Sequence, residues 1–126
     1  MTISKLPLSP HLQVYRLPLV ALVSISHRAC GVVNGLGYAI FIIFLISIAS
    51  GYETYNISYT VLTSTIGKIL MSLWIFSLYL HISNGVRHLF WDFGLGFNGK
   101  SPLISTFLVL ASTLLLTSFT ILLYIL

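Results

Sequence analysis

Charge is what this chain has least of. Its 126 residues include six Lys and Arg and only two Asp and Glu, so that 6% are charged against 57% hydrophobic. A water-soluble domain carries about 25% charged residues. The composition therefore excludes a soluble surface and leaves an integral membrane protein. Cysteine is almost absent too. The one thiol, Cys30, excludes an internal disulfide framework and a self-contained four-cysteine zinc or iron–sulfur site, and beside Gly31 it reads as a small packed residue. There is no phosphate-binding loop and no dinucleotide fingerprint: Gly35-Leu36-Gly37 lacks a third glycine and sits inside an apolar run. Any flavin or iron–sulfur chemistry must come from a partner chain. The pI of about 9.5 reports membrane topology and implies no nucleic acid. The opening residues, MTISKLPLSP, have the pattern of neither a cleavable signal nor an Arg-rich transit peptide.

What is abundant is apolar sequence in long runs. A span needs about 20 apolar residues, and 126 residues hold three spans comfortably. The expected fold is all-α with three transmembrane helices. Residues 1–18, marked by Pro7, Pro10 and Pro18, read as an extended arm with a short amphipathic piece around His11 to Arg16. Residues 19–126 read as the membrane anchor, with helices at about 19–49, 61–91 and 103–126. Residues 51–60 read as a short polar loop, and residues 93–102 as a glycine-rich one. Gly31 and Gly35 form a small-xxx-small pattern suited to close helix contact. The third helix has no charge, and its Ser105, Ser112, Thr113 and Thr117 suit packing and local backbone hydrogen bonds. Lys5, Arg16 and Arg28 lie at or before the first helix, Arg87 and Lys100 flank the 93–102 loop, and only Lys68 lies toward the other side. Five of six cations thus share one face. By the positive-inside bias that face is cytoplasmic in a bacterium or matrix in a mitochondrion.

The scarce polar groups are concentrated. His81-Ile82-Ser83-Asn84-Gly85-Val86-Arg87-His88-Leu89-Phe90-Trp91-Asp92 ends the second apolar run. His81 and His88, seven residues apart, fall on one helix face with Ser77, Asn84 and Gly85. His81 lies roughly 15 Å from the helix end at Trp91, near mid-bilayer, where an imidazole is costly unless bonded or liganded. The readings are haem ligation, with Gly85 making room for a flat macrocycle, or a hydrogen-bonded core histidine or proton relay. His88 is nearer the interface. In the first helix Ser24, His27, Arg28, Gly31, Asn34, Gly35 and Tyr38 recur at three-to-four spacing. Ser24, His27 and Arg28 sit on the same charged face as Arg87, His88 and Asp92, where Arg28 can bind a propionate and Ser24 the carbonyl of a lipid-soluble ligand. Asp92 reads as an interfacial ion-pair partner of Arg87.

Three segments carry a family resemblance: Leu8-Ser9-Pro10-His11-Leu12-Gln13-Val14-Tyr15, Ser24-Ile25-Ser26-His27-Arg28-Ala29-Cys30-Gly31, and the His81 to Asp92 run. Over essentially its whole length the sequence resembles the cytochrome b large anchor subunits of succinate dehydrogenase (respiratory complex II), of the mitochondrial and alphaproteobacterial type. The resemblance implies half of a haem-binding anchor bundle in a mitochondrial inner membrane or a bacterial plasma membrane. His81 would be one axial ligand to the iron of haem b, a small membrane-anchor subunit would supply the other, and His27, Arg28 and His88 would lie near the haem propionates. Ser24 and Arg28 would help bind ubiquinone in a pocket closed by the iron–sulfur subunit. Electrons would arrive from succinate, a tricarboxylic acid cycle substrate, through the flavoprotein subunit and the iron–sulfur clusters. This chain would be a non-flavin subunit of the enzyme and would hold no catalytic residue of its own. Leu6 before Pro7 and Cys30 before Gly31 depart from the usual family residues. Two other readings stand beside this one: a haem-free structural anchor, and a small proton or solute transporter subunit with His81 and His88 as a relay.

Overall fold

The computed structural model describes residues 15–125. The expected amphipathic piece around His11 and most of the 1–18 arm, Lys5 included, lie outside them. The described chain is all-helical: α1 Leu19–Ala49, α2 Tyr52–Thr63, α3 Thr65–Asp92 and α4 Ser101–Ile125. Three of these, α1, α3 and α4, are long and apolar enough to cross a membrane. At 1.5 Å per residue the 31 residues of α1 span about 46 Å, more than the ~30 Å hydrocarbon core, so α1 tilts or protrudes.

The local sequence accounts for the helix ends. Pro18 is extended, and its carbonyl accepts from the Ala21 and Leu22 amides at the start of α1. Past Ala49, Gly51 adopts φ 108°, a conformation that excludes side-chain-bearing residues, and the chain turns. At the far end of α3, Gly94 (φ 75°) donates to Trp91 O and Leu95 donates to Phe90 O, a Schellman closure that satisfies two terminal carbonyls.

The 51–60 segment is corrected by the structure: it is helical, not a loop. Glu53 stands in the first turn of α2, where its charge favours the helix dipole. The Thr60 and Thr63 hydroxyls bond back to Asn56 O and Tyr59 O. Polarity hid this helix, which buries no residue and touches α1 where Tyr55 meets Phe44. The second membrane helix consequently opens at Thr65 rather than 61. Ser64 is extended between α2 and α3, and its hydroxyl accepts from the Gly67 amide at 3.1 Å, capping α3. Gly67 lies so close to the Val61 and Leu62 carbonyls that a Cβ would collide with them.

α3 is the central element. His27 and His81 join the beginning of α1 to the end part of α3, and Arg87 and Thr106 join the end of α3 to the beginning of α4. Tyr79 donates to Thr120 lower in the same pair. Adjacent spans are therefore antiparallel, and Arg16, Arg28, Arg87 and Lys100 share one end of the bundle while Lys68 lies at the other. Among the described residues only Val23, Leu80 and Val109 are buried hydrophobics, whereas eight polar or charged residues are buried. That inversion suits lipid as solvent: apolar side chains face outward, and small or polar side chains fill the helix contacts. The expected Gly31–Gly35 seam is also corrected. Gly35 is exposed with nothing near the position of a Cβ, while Gly37 is buried and a Cβ there would fall inside the Trp74 indole.

A histidine cluster between the first and third helices

Two helices build the candidate site. From α1 come Ser24, His27, Arg28 and Gly31, and from α3 come Ser77, His81, Asn84, Gly85 and His88. The His27 and His81 rings stack at 4.0 Å, 9° from parallel. The His88 ring lies 5.5 Å from His27, tilted by 50°, and stands edge-on to Trp91 at 5.1 Å. Three imidazoles, chosen from the sequence on two separate helices, thus form one cluster.

One hydrogen bond fixes the chemistry of His81. Its Nδ1 lies 3.1 Å from the main-chain carbonyl of His27. A carbonyl only accepts, so Nδ1 carries a proton, which in the neutral imidazole places the lone pair on Nε2. That Nε2 makes no hydrogen bond to any described residue. A donor atom of this kind, oriented through the other nitrogen by a carbonyl, is what a metal-ligating histidine requires. Among the described residues no group of three or more His, Cys, Asp and Glu side chains is arranged to hold a metal ion.

The space around the rings is uneven. A Cβ on Gly31 would stand 3.5 Å from His81 Cε1, in ordinary contact, so the α1 backbone passes close to the ring with room for one methyl group. A Cβ on Gly85 would meet only His27 Cε1, at 3.9 Å. Gly85 therefore borders the His27 edge of the cluster. Ser77 donates to Cys30 O at 3.4 Å and ties the helices together one turn further in.

Asn84 is fully buried, and neither its amide nitrogen nor its oxygen has a partner among the described residues. The buried Asn34 oxygen and His27 Nδ1 are also without partners there. A buried polar atom left unpaired costs about 1–3 kcal/mol, so these groups mark where further polar atoms would be bound. Ser24 is half-buried and Arg28 is exposed, on the turn of α1 that carries His27.

Arg87 lies elsewhere than expected. It is 4% exposed, its Nη1 donates to Thr106 Oγ1 at 2.6 Å, and its guanidinium lies 4.6 Å from the centre of the Trp91 ring. Asp92 is exposed. The expected Arg87–Asp92 pair is replaced by a buried contact between α3 and α4, which position along one helix did not disclose.

Comparison with known proteins gives the context of this site. Residues 2–120 match the family described as succinate dehydrogenase/fumarate reductase transmembrane subunit. The succinate dehydrogenase cytochrome b556 subunit of Rickettsia felis is 36% identical over 114 residues, 90% of this chain and 89% of that one. The b556 subunit of Paracoccus denitrificans is 32% identical, over 94% of this chain and 91% of that one. The b560 subunit of Reclinomonas americana is 32% identical, over 88% and 81%. With three membrane-length helices carrying an imidazole cluster, and near-full-length matches of this kind, the chain belongs to the succinate dehydrogenase/fumarate reductase transmembrane subunit family.

Proposed function

We propose that this chain anchors a succinate:ubiquinone oxidoreductase in the membrane, supplies His81 as one axial ligand to a b-type haem shared with a small anchor subunit, and forms part of the ubiquinone site through Ser24 and Arg28. The observation that carries the reading is the His81 Nδ1 hydrogen bond to His27 O, which leaves Nε2 as an oriented lone pair. The relatives' name, cytochrome b, supports haem b as the group concerned. When bound, haem b supplies one-electron redox chemistry.

The chain's own residues have distinct tasks. His27 holds the His81 ring by its carbonyl and by its stacked face. His27 and His88, with Arg28 at the membrane surface, offer donors to propionates. The stacked, near-parallel His27 and His81 rings are not arranged to hold one iron together, which supports the reading that the small anchor subunit would supply the second ligand. Ser24 and Arg28 donate hydrogen bonds to a quinone carbonyl, where negative charge develops on reduction. The iron–sulfur and flavoprotein subunits deliver the electrons. The end of the bundle bearing Arg16, Arg28, Arg87 and Lys100 faces the matrix of a mitochondrion or the cytoplasm of a bacterium.

Visible and low-temperature EPR spectra of the purified complex test the haem assignment. His81→Ala should abolish the low-spin signal, and His88→Ala should only perturb it. The chain expressed alone should hold no low-spin haem, and co-expression with the small anchor subunit should restore it. An unchanged spectrum in His81→Ala, or a bis-histidine spectrum from the isolated chain, would overturn the assignment. A haem-free wild-type complex that still reduces quinone would leave this chain a structural anchor.

A further inference from the structure

One cation of this chain is inside the bundle. Arg16, Arg28, Lys68 and Lys100 are exposed, whereas Arg87 is 4% exposed. Two groups fix its guanidinium. Nη1 donates to Thr106 Oγ1 at 2.6 Å. The Thr106 hydroxyl is fully buried and gives its own proton to Pro102 O at 2.8 Å, so a lone pair is left for the guanidinium. The Trp91 ring lies 4.6 Å from the guanidinium carbon, and the same ring meets His88 edge-on at 5.1 Å.

This charge belongs to the histidine cluster. It acts electrostatically on His27, whose ring stacks on His81. Nothing in the described chain cancels it. The protein has two acidic residues. Glu53 opens α2 at the opposite end of the bundle, and Asp92 is exposed. Arg87 Nε and Nη2 are buried, out of reach of a carboxylate from a partner subunit. A guanidinium stays protonated in a protein interior, so the charge is permanent. In a low-dielectric bundle it is screened far less than a surface charge.

We propose that Arg87 is the fixed charge that raises the electron affinity of the His81 site, and that Thr106 is the positioning residue that holds it there. The proposal rests on the assignment of haem b to His81. Reducing the iron adds one electron, hence one negative charge, and no proton. A permanent cation in the same bundle favours that added charge, and the midpoint potential rises. Arg87 and His81 are six residues apart, about 9 Å along α3. At a separation of that order and an effective dielectric of about 20, Coulomb's law makes the effect about tenfold in the ratio of reduced to oxidised haem. Through one hydroxyl, α4 enters the chemistry of a site to which it contributes no imidazole.

The test is a redox titration of the haem in the purified complex, read from its visible spectrum. Arg87→Gln should lower the reduced-to-oxidised ratio at a given potential about tenfold, a shift of about 59 mV for one electron. Arg87→Lys, which keeps the charge, should change the ratio less than about threefold. Thr106→Asp gives the guanidinium a buried counter-ion and should lower the ratio as Arg87→Gln does, with Arg87 still present. Thr106→Ser keeps the hydroxyl and should match the wild type. If Arg87→Gln does not assemble, the double variant Arg87→Met with Thr106→Val decides, because it removes both partners of the buried hydrogen bond together rather than stranding one. It should show the same fall. Haem retained at the wild-type potential in Arg87→Gln, in the double variant or in Thr106→Asp would overturn this proposal and leave the His81 reading intact. An equal fall in Arg87→Lys would also overturn it, since the effect would then follow shape and not charge. A wild-type complex without low-spin haem would overturn the His81 reading and this proposal with it.

Discussion

The His27 and His81 imidazoles lie face to face, 4.0 Å apart, and the His27 main-chain carbonyl sits 3.1 Å from His81 Nδ1. One residue of α1 thus holds one residue of α3 twice, by its ring and by its backbone. The two attachments separate under mutation. The carbonyl survives any substitution of the His27 side chain, while the stacked face, worth about 0.5–1.5 kcal/mol in aromatic pairs, does not.

His27→Ala should therefore keep the low-spin haem near wild-type occupancy but shift its spectrum and midpoint potential, and His27→Phe should shift them less. Haem quantification and redox titration of assembled complexes would check this. Loss of haem in both variants, with assembly intact, would show that the backbone hydrogen bond does not suffice to orient His81.

Ser24 and Arg28 flank His27 on the same turn of α1. Ser24→Ala and Arg28→Leu should lower kcat/KM for quinone by about tenfold or more, as expected for losing a hydrogen bond to developing charge. Succinate oxidation by an artificial soluble acceptor should persist. Parallel loss of both activities would point to failed assembly, and normal quinone kinetics in assembled Arg28→Leu would remove Arg28 from the site.

Gly37 and Gly31 should respond oppositely to a single methyl group. At Gly37 the added Cβ overlaps the Trp74 indole, and at Gly31 it makes ordinary contact with His81 at 3.5 Å. Gly37→Ala should destabilise the α1–α3 contact by about 1–3 kcal/mol, with Trp74→Phe giving partial rescue, and Gly31→Ala should be tolerated. Thermal stability of the purified complex measures both. Equal tolerance of the two substitutions would mean that Trp74 is not packed on Gly37.

Orientation is testable in the 93–102 loop, where Asn98 is exposed. A cysteine at Asn98, in a chain carrying Cys30→Ser, should be shielded from an impermeant thiol reagent added outside sealed mitoplasts or cells. It should label once the membrane is opened. Efficient labelling from outside would invert the proposed topology.

The sequence by itself determined the class of the molecule. With two acidic and six basic residues in 126, no folded surface can be hydrated, so long apolar runs must become membrane helices, and backbone hydrogen bonding in lipid makes them helical. It also marked candidate residues, because an imidazole or a cation among so few polar residues stands out, and His27, His81 and His88 do meet. What it did not determine was how the helices meet. Residue spacing gives the face of a helix that a side chain shares but not the rotation or offset of its neighbour. Tertiary structure alone put Gly37 rather than Gly35 against Trp74, turned Arg87 to Thr106 and away from Asp92, and fixed the His81 ring by a carbonyl 54 residues earlier in the chain. α2 went unread for a related reason. Its low mean hydropathy hid a weak apolar face, Tyr55, Tyr59 and Leu62 at helical spacing, and its helical form is accompanied by local hydroxyl bonds, a dipole-favoured Glu53 and contacts with both α1 and α3.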